Sequence, residues 1–215
     1  MIRKYYLIGT LLTVAAVLAI LLAYPHLPNQ VPTHWNVEGQ ANGYSTKWTL
    51  FLFGPGFMAG TMLLFYFLPW LSPKHWQVDT FQSTYLYIMM VLVSLLAYFT
   101  GVSLWAALGQ AANVDRAIVG GICLLFALLG NVMGKVRRNF FIGVRTPWAL
   151  ANERVWNATH RFAAKTFVLG GVIGLALTAF GVNGWPPFAA LMAGALVPVV
   201  YSLVVYKQLE RRGEL

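Results

Sequence analysis

The stretch Lys135–Lys165, KVRRNFFIGVRTPWALANERVWNATHRFAAK, lies between two long apolar runs. It holds seven of the chain's fifteen basic residues: Lys135, Arg137, Arg138, Arg145, Arg154, Arg161 and Lys165. An Arg or Lys at the centre of a membrane helix costs roughly 2.5–3.5 kcal/mol on the insertion scale. Cations at this density therefore belong in a loop between spans. The same loop gathers most of the polar chemistry in an otherwise oily protein.

Working outward, the chain has 215 residues, of which 59% are hydrophobic and 10% charged. A soluble domain carries about 25% charged residues, so this composition leaves too few to cover a water-exposed surface. Lipid is the natural solvent for the remainder. Six stretches approach the roughly 20 apolar residues a span requires. They are Tyr6–Tyr24, Thr49–Trp70, Thr84–Leu108, Ala117–Gly134, Thr166–Val182 and Pro187–Tyr206. No short alternating segments of the kind that build a membrane barrel occur. The expected fold class is all-α, a polytopic membrane protein with six transmembrane helices. The first apolar run follows Arg3-Lys4, as a signal peptide would, but it lacks a small-residue cleavage site and runs into Pro25. It reads as an uncleaved first span.

Orientation follows from the cations. With the N-terminus in the cytoplasm, the inner side holds Arg3, Lys4, Lys74, the seven loop residues, Lys207, Arg211 and Arg212, and the outer side holds Lys47 and Arg116. A split of thirteen to two places both termini in the cytoplasm. It also accounts for the net charge of +9, which in a soluble protein would raise nucleic acid as a partner. No direct nucleic-acid partner is expected. The loop Leu71–Ser83 reads as the seam between a two-span hairpin (1–75, outer loop 25–48) and a four-span region (76–215, inner loop 135–165).

Within the spans, the glycine pairs Gly56/Gly60, Gly130/Gly134 and Gly170/Gly174 repeat at four residues. That spacing puts both members on one face and suits close helix contact inside the bundle or in a dimer. Phe53-Gly54-Pro55-Gly56 predicts an irregular start to the second span, and Pro198 is placed to kink the sixth. No predicted span holds Asp, Glu, Lys, Arg or His in its interior, which argues against a proton-coupled transporter. Asn131 reads as an interhelical hydrogen bonder. Cys123, the single cysteine, reads as a small buried hydrophobe.

The outer loop, PHLPNQVPTHWNVEGQANGYSTKW, is dense in turn formers. Asn42-Gly43 suits a tight hairpin turn, since both residues tolerate positive φ. His26 and His34 stand eight apart with Glu38 as the nearby carboxylate, too loose a set for a zinc site. No metal or cofactor is expected. Trp35, Tyr44 and Trp48 give this surface an aromatic character, and Trp48 suits an interfacial belt.

In the inner loop, Thr146-Pro147 is a helix start: a capping hydroxyl, then proline at the first helical position. Asn152 offers a second cap, for a helix through Trp156 and His160, which share a face. Three readings of this loop compete. Asn139, Arg145, Glu153 and His160 form a candidate acid–base cluster. Alternatively the helix lies in the interface, with Trp at headgroup depth and Arg145 and Arg161 on lipid phosphates. Alternatively the loop docks a protein.

The run Arg138–Lys165, above all NFFIGVRTPWAL followed by ERVWNATHRFAAK, resembles the signature of the SdpI family of bacterial membrane proteins. The run VPTHWNVEGQANGYSTKW resembles the small domain of unknown function that commonly precedes it. The resemblance implies an integral protein of the bacterial cytoplasmic membrane that gives immunity to a secreted antimicrobial peptide. It also implies a sensing role, in which the inner loop captures a cytosolic repressor. On the inner side Asn139, Gly143, Arg145, Thr146, Pro147, Trp148, Trp156, His160 and Arg161 match the family pattern, and Glu153 joins them as a candidate partner-binding residue. On the outer side Pro32, His34, Trp35, Asn36, Gly39, Gly43, Tyr44 and Lys47 match, as candidate ligand-binding residues. The alternative functions are a membrane enzyme acting on lipid or peptide at the cytoplasmic face, with His160 and Glu153 as acid and base, and a small-solute transporter.

Overall fold

A computed structural model describes residues 1–36, 40–73, 78–109, 113–182 and 184–215. Glu38, Gly39 and Lys74 lie outside the described residues. Six helices are long and apolar enough to cross a membrane.

Helix α1 (Ile2–Ala23) is rich in Leu, Ile and Ala, and it ends where Pro25 enters a single 3₁₀ turn, Tyr24–His26. Its 22 residues span about 33 Å at 1.5 Å each, which matches a bilayer core of about 30 Å. A two-stranded antiparallel hairpin follows, β1 (Gln30–Trp35) and β2 (Ala41–Thr46). The second span opens with the short helix α2 (Thr49–Phe51), widens into one π turn at Leu52–Gly56 and continues as α3 (Phe57–Leu71). The irregular start expected at Phe53–Gly56 is this turn. Pro55 has no N–H to give a regular ladder, and Gly54 allows the backbone to close onto Thr100 of the next helix.

Helices α4 (Gln82–Ala107) and α5 (Val114–Met133) form the third and fourth spans. The short α6 (Pro147–Ala151) precedes α7 (Glu153–Ala179) and α8 (Trp185–Arg211). The helix that carries the fifth span therefore begins at Glu153, ahead of the apolar run expected from Thr166. The separate inner-loop helix expected through Trp156 and His160 is the first part of α7. Asn152 caps it, accepting from the N–H groups of Arg154 and Val155 at 2.8 and 3.3 Å.

Helix α7 is central, lying along α5 on one side and α8 on the other, while α4 joins this group to α1 and α3. Small residues permit the close approaches. A Cβ at Gly171 would stand 2.6 Å from the Cys123 carbonyl, one at Gly170 2.6 Å from that of Ala190, and one at Gly130 2.7 Å from the Val168 nitrogen. The pair Gly56/Gly60 does not serve this way. Gly56 faces Phe51 of its own segment, and Gly60 meets nothing within 4 Å. Asn131 is exposed on α5 rather than set between helices. Pro198 is buried inside α8. The outward faces carry Leu7, Leu18, Leu64, Leu169, Leu196 and Val200, all exposed. Continuous exposed apolar surface of this kind is a lipid contact.

Candidate functional site

The start of α7, the end of α5 and the end of α8 meet at one end of the bundle. Trp156 Nε1 donates to the Val136 carbonyl at 2.9 Å, the Thr146 and Ser202 hydroxyls bond at 2.8 Å, and Arg154 pairs with Glu214 at 3.1 Å. One apolar cluster joins Phe65, Phe81, Val136, Val144 and Trp156, with Tyr6 and Tyr206 against it, so both chain termini lie at this end.

The loop between α5 and α6 folds back over the start of α7. Asn139 organises it. The side chain is fully buried, its Nδ2 donates to the carbonyls of Arg137 and Ile142 at 2.9 Å each, and its Oδ1 accepts from the N–H groups of Phe141 and Ile142 at 2.8 and 2.7 Å. Every hydrogen-bonding capacity of one amide is thus spent on the backbone of three residues, Arg137, Phe141 and Ile142. Gly143 follows at φ +116°, a conformation that excludes ordinary side chains, and a Cβ there would collide with the His160 ring.

Val144 N–H then donates to His160 Nε2 at 3.1 Å, while His160 Nδ1 bonds the Trp156 carbonyl at 2.9 Å. A carbonyl only accepts, so Nδ1 carries the proton and Nε2 offers its lone pair. The His160 ring stacks on Trp156 with centroids 3.9 Å apart. Both rings are buried, at 1% and 0% exposure, so they pack inside the protein rather than face lipid. His160 is a buried ionisable group on α7, but it lies before the apolar run Thr166–Val182, which itself holds no Asp, Glu, Lys, Arg or His.

Thr146 is buried and caps α6, accepting from Ala149 N–H at 3.2 Å. Trp148 is half-buried, and Arg161 and Glu153 are exposed. Arg145 is exposed and donates to the Phe140 carbonyl. The acid–base cluster does not assemble: Glu153 faces outward, and His160 lies seven residues along the same helix, about 10 Å in rise. Of the residues named from the sequence as a partner surface, Asn139, Thr146, Trp156 and His160 are buried in one joint, while Arg145, Glu153 and Arg161 face outward.

At the opposite end stands the hairpin. Its turn is not at Asn42-Gly43, which lie within β2. Asn36 and Gln40 close it, with Asn36 N–H donating to the Gln40 carbonyl at 3.0 Å and Gln40 N–H to Asn36 Oδ1 at 2.8 Å. Asn42 instead bonds His34 Nδ1, and Gly43 is required because a Cβ there would come within 2.9 Å of His34 Cβ. Pro32 pairs with Tyr44, whose ring is exposed. Val31 is fully buried against Ile20, Leu27, Leu50 and Leu104, which gives an otherwise marginal two-stranded ribbon its anchor. Lys47 reaches the carbonyls of Tyr24 and Leu27 at 3.3 and 3.4 Å and lies over the Tyr24 ring. It ties the hairpin to the end of α1. Trp35 and Asn36 are half-buried. Among the described residues, no group of three or more His, Cys, Asp or Glu is placed to hold a metal ion.

Residues 135–202, from the folded-back loop into α8, match the SdpI/YfhL protein family, and residues 11–59, from α1 through the hairpin into the start of α3, match a domain of unknown function (DUF1648). No solved structure matches the chain. The immunity protein SdpI of Bacillus subtilis (strain 168) is 30% identical over 203 residues, covering 94% of this chain and 95% of that protein. With the joint at Asn139, Gly143 and His160 inside the matched region and the likeness running nearly end to end, the chain belongs to the SdpI/YfhL family of membrane proteins.

Proposed function

We propose that this chain is an immunity protein of the bacterial cytoplasmic membrane. It protects its host from a secreted antimicrobial peptide by binding, without catalysis. The observation that carries this reading is the near full-length likeness to a protein named for immunity, which takes in both the hairpin and the folded-back loop. The cation split of the sequence supports placing the hairpin outside and the termini in the cytosol. The separation of Glu153 from His160 favours binding over an enzyme acting on lipid or peptide.

In this reading the peptide meets the hairpin end, and a cytosolic repressor meets the exposed cations Arg137, Arg145 and Arg161, which suit an acidic partner or lipid phosphates. Asn139, Trp156 and His160 support that surface from below. The test is expression in strains sensitive to secreted antimicrobial peptides. Survival above an empty-vector control against at least one peptide is expected. Unchanged killing by every peptide tried overturns the immunity reading. Pull-down of a cytosolic repressor by the native chain, lost in R145A, is the matching expectation for the inner surface.

A further inference from the structure

The hairpin does not lie flush on the helices. Between β1 and the adjoining ends of α4, α5, α7 and α8 is a partly open cavity of about 610 Å³, a size common for small-ligand sites. Its wall is mostly apolar and carries four aromatic rings: Trp35 from the hairpin, Phe99 from α4, and Trp185 and Phe188 from the start of α8. Among the described residues Asp115 is the one charged side chain on the wall.

Two facts give Asp115 its meaning. The two salt bridges among the described residues, Arg154–Glu214 and Lys207–Glu210, both lie at the other end of the bundle. The neighbouring cation, Arg116, rests against Gly181 and is not part of the wall. A carboxylate in the first turn of α5 is favoured by the helix dipole, and an exposed Trp185 suits a membrane interface. Neither explanation accounts for four rings gathered from three elements around one acid.

We propose that this cavity binds a cationic, apolar segment of a peptide, with an ammonium or guanidinium group at Asp115 and flanking apolar side chains against the rings. A cation gains from the carboxylate and from the ring faces together. An anion of the same shape meets Asp115 and is repelled. This deepens the immunity reading and rests on it only for the occupant being a secreted peptide. Phe99, Asp115, Trp185 and Phe188 all lie outside the outer-loop residues singled out from the sequence.

The test uses the full chain in lipid nanodiscs and two amidated synthetic tripeptides, Phe-Lys-Phe and Phe-Glu-Phe, titrated calorimetrically against empty-disc blanks. Saturable binding of the lysine peptide and none of the glutamate peptide is expected. D115N weakens the lysine peptide by about ten- to a hundredfold, the usual weight of a hydrogen bond to a charged group. S103F fills the cavity without altering charge and abolishes binding. Equal affinity for the two peptides, or binding that survives S103F, overturns the site. Should D115N fail to fold, the S103F result and the peptide pair decide. A chain that protects cells yet ignores the lysine peptide loses the cavity and keeps its immunity role. A chain that binds the peptide and protects against nothing does the reverse.

Discussion

His160 lies against Trp156 one helical turn below it, centroids 3.9 Å apart and planes 18° from parallel, and the Val144 N–H donates to Nε2 at the edge of the histidine ring. The contact makes a helix and a loop one unit. His160→Phe keeps the stack and the volume but leaves a buried N–H without an acceptor, at a cost of about 1–3 kcal/mol. The expected result is a lower apparent melting temperature in detergent. His160→Gln, which can present an oxygen to Val144, should recover part of the loss. Equal stability of the Phe variant and the native chain would remove the hydrogen bond from the account.

Asn139 should control access to the loop. Asn139→Ala orphans two N–H groups and two carbonyls at a fully buried position, and the loop is expected to loosen by roughly 2–4 kcal/mol. Trypsin reads this directly, since Arg137, Arg138 and Arg145 flank the turn. Cleavage there should be slow in the native chain and at least about tenfold faster in the variant, since 1.4 kcal/mol is a factor of ten in an opening equilibrium. Asn139→Asp retains the two acceptor bonds but turns an oxygen toward two carbonyls, so it should fall between the two.

Glycines supply matched pairs. Gly143 and Gly109 both have positive φ, but only Gly143 abuts another side chain, the His160 ring, while Gly109 has open space around it. Gly143→Ala should therefore cost more than Gly109→Ala, which bears strain alone, about 1 kcal/mol. Likewise Gly171→Ala drives a methyl into the backbone of α5, whereas Gly60→Ala enters open space and should be neutral or slightly stabilising. Heat-induced aggregation followed by size exclusion ranks all four variants.

Sidedness is testable with the chain's own background. Cys123 is fully buried, so Tyr44→Cys and Arg145→Cys introduce single accessible thiols. In intact cells a membrane-impermeant maleimide should label position 44 and spare position 145, and permeabilised cells should label both. Labelling of 145 alone in intact cells would reverse the proposed orientation.

These expectations show where reading from the residues succeeded. The six apolar spans, the irregular Phe53–Gly56 segment, the Thr146 and Asn152 caps and the shared face of Trp156 and His160 all express local rules of composition, spacing and capping. The misreadings are tertiary. Asn42-Gly43 has a strong hairpin signal, yet both residues lie within β2, where Gly43 is needed because the strands crowd His34. The polar first turns of α7 read as a surface helix because nothing local announces that Asn139 folds a loop over them. Asn131 is exposed for a similar reason: neighbours decide which face of a helix is covered. The cavity at Asp115 joins β1 to four helices, and no spacing along the chain encodes that.

The Asn139 joint also bears on recognition. A basic loop hanging free in solvent must give up its conformational freedom whenever it grips an anion, and that loss subtracts from affinity. Here the scaffold beneath Arg145 and Arg161 is already frozen when the chain folds. The acidic partner proposed for this surface would find its docking geometry set in advance, and selectivity would rest on shape as much as on charge.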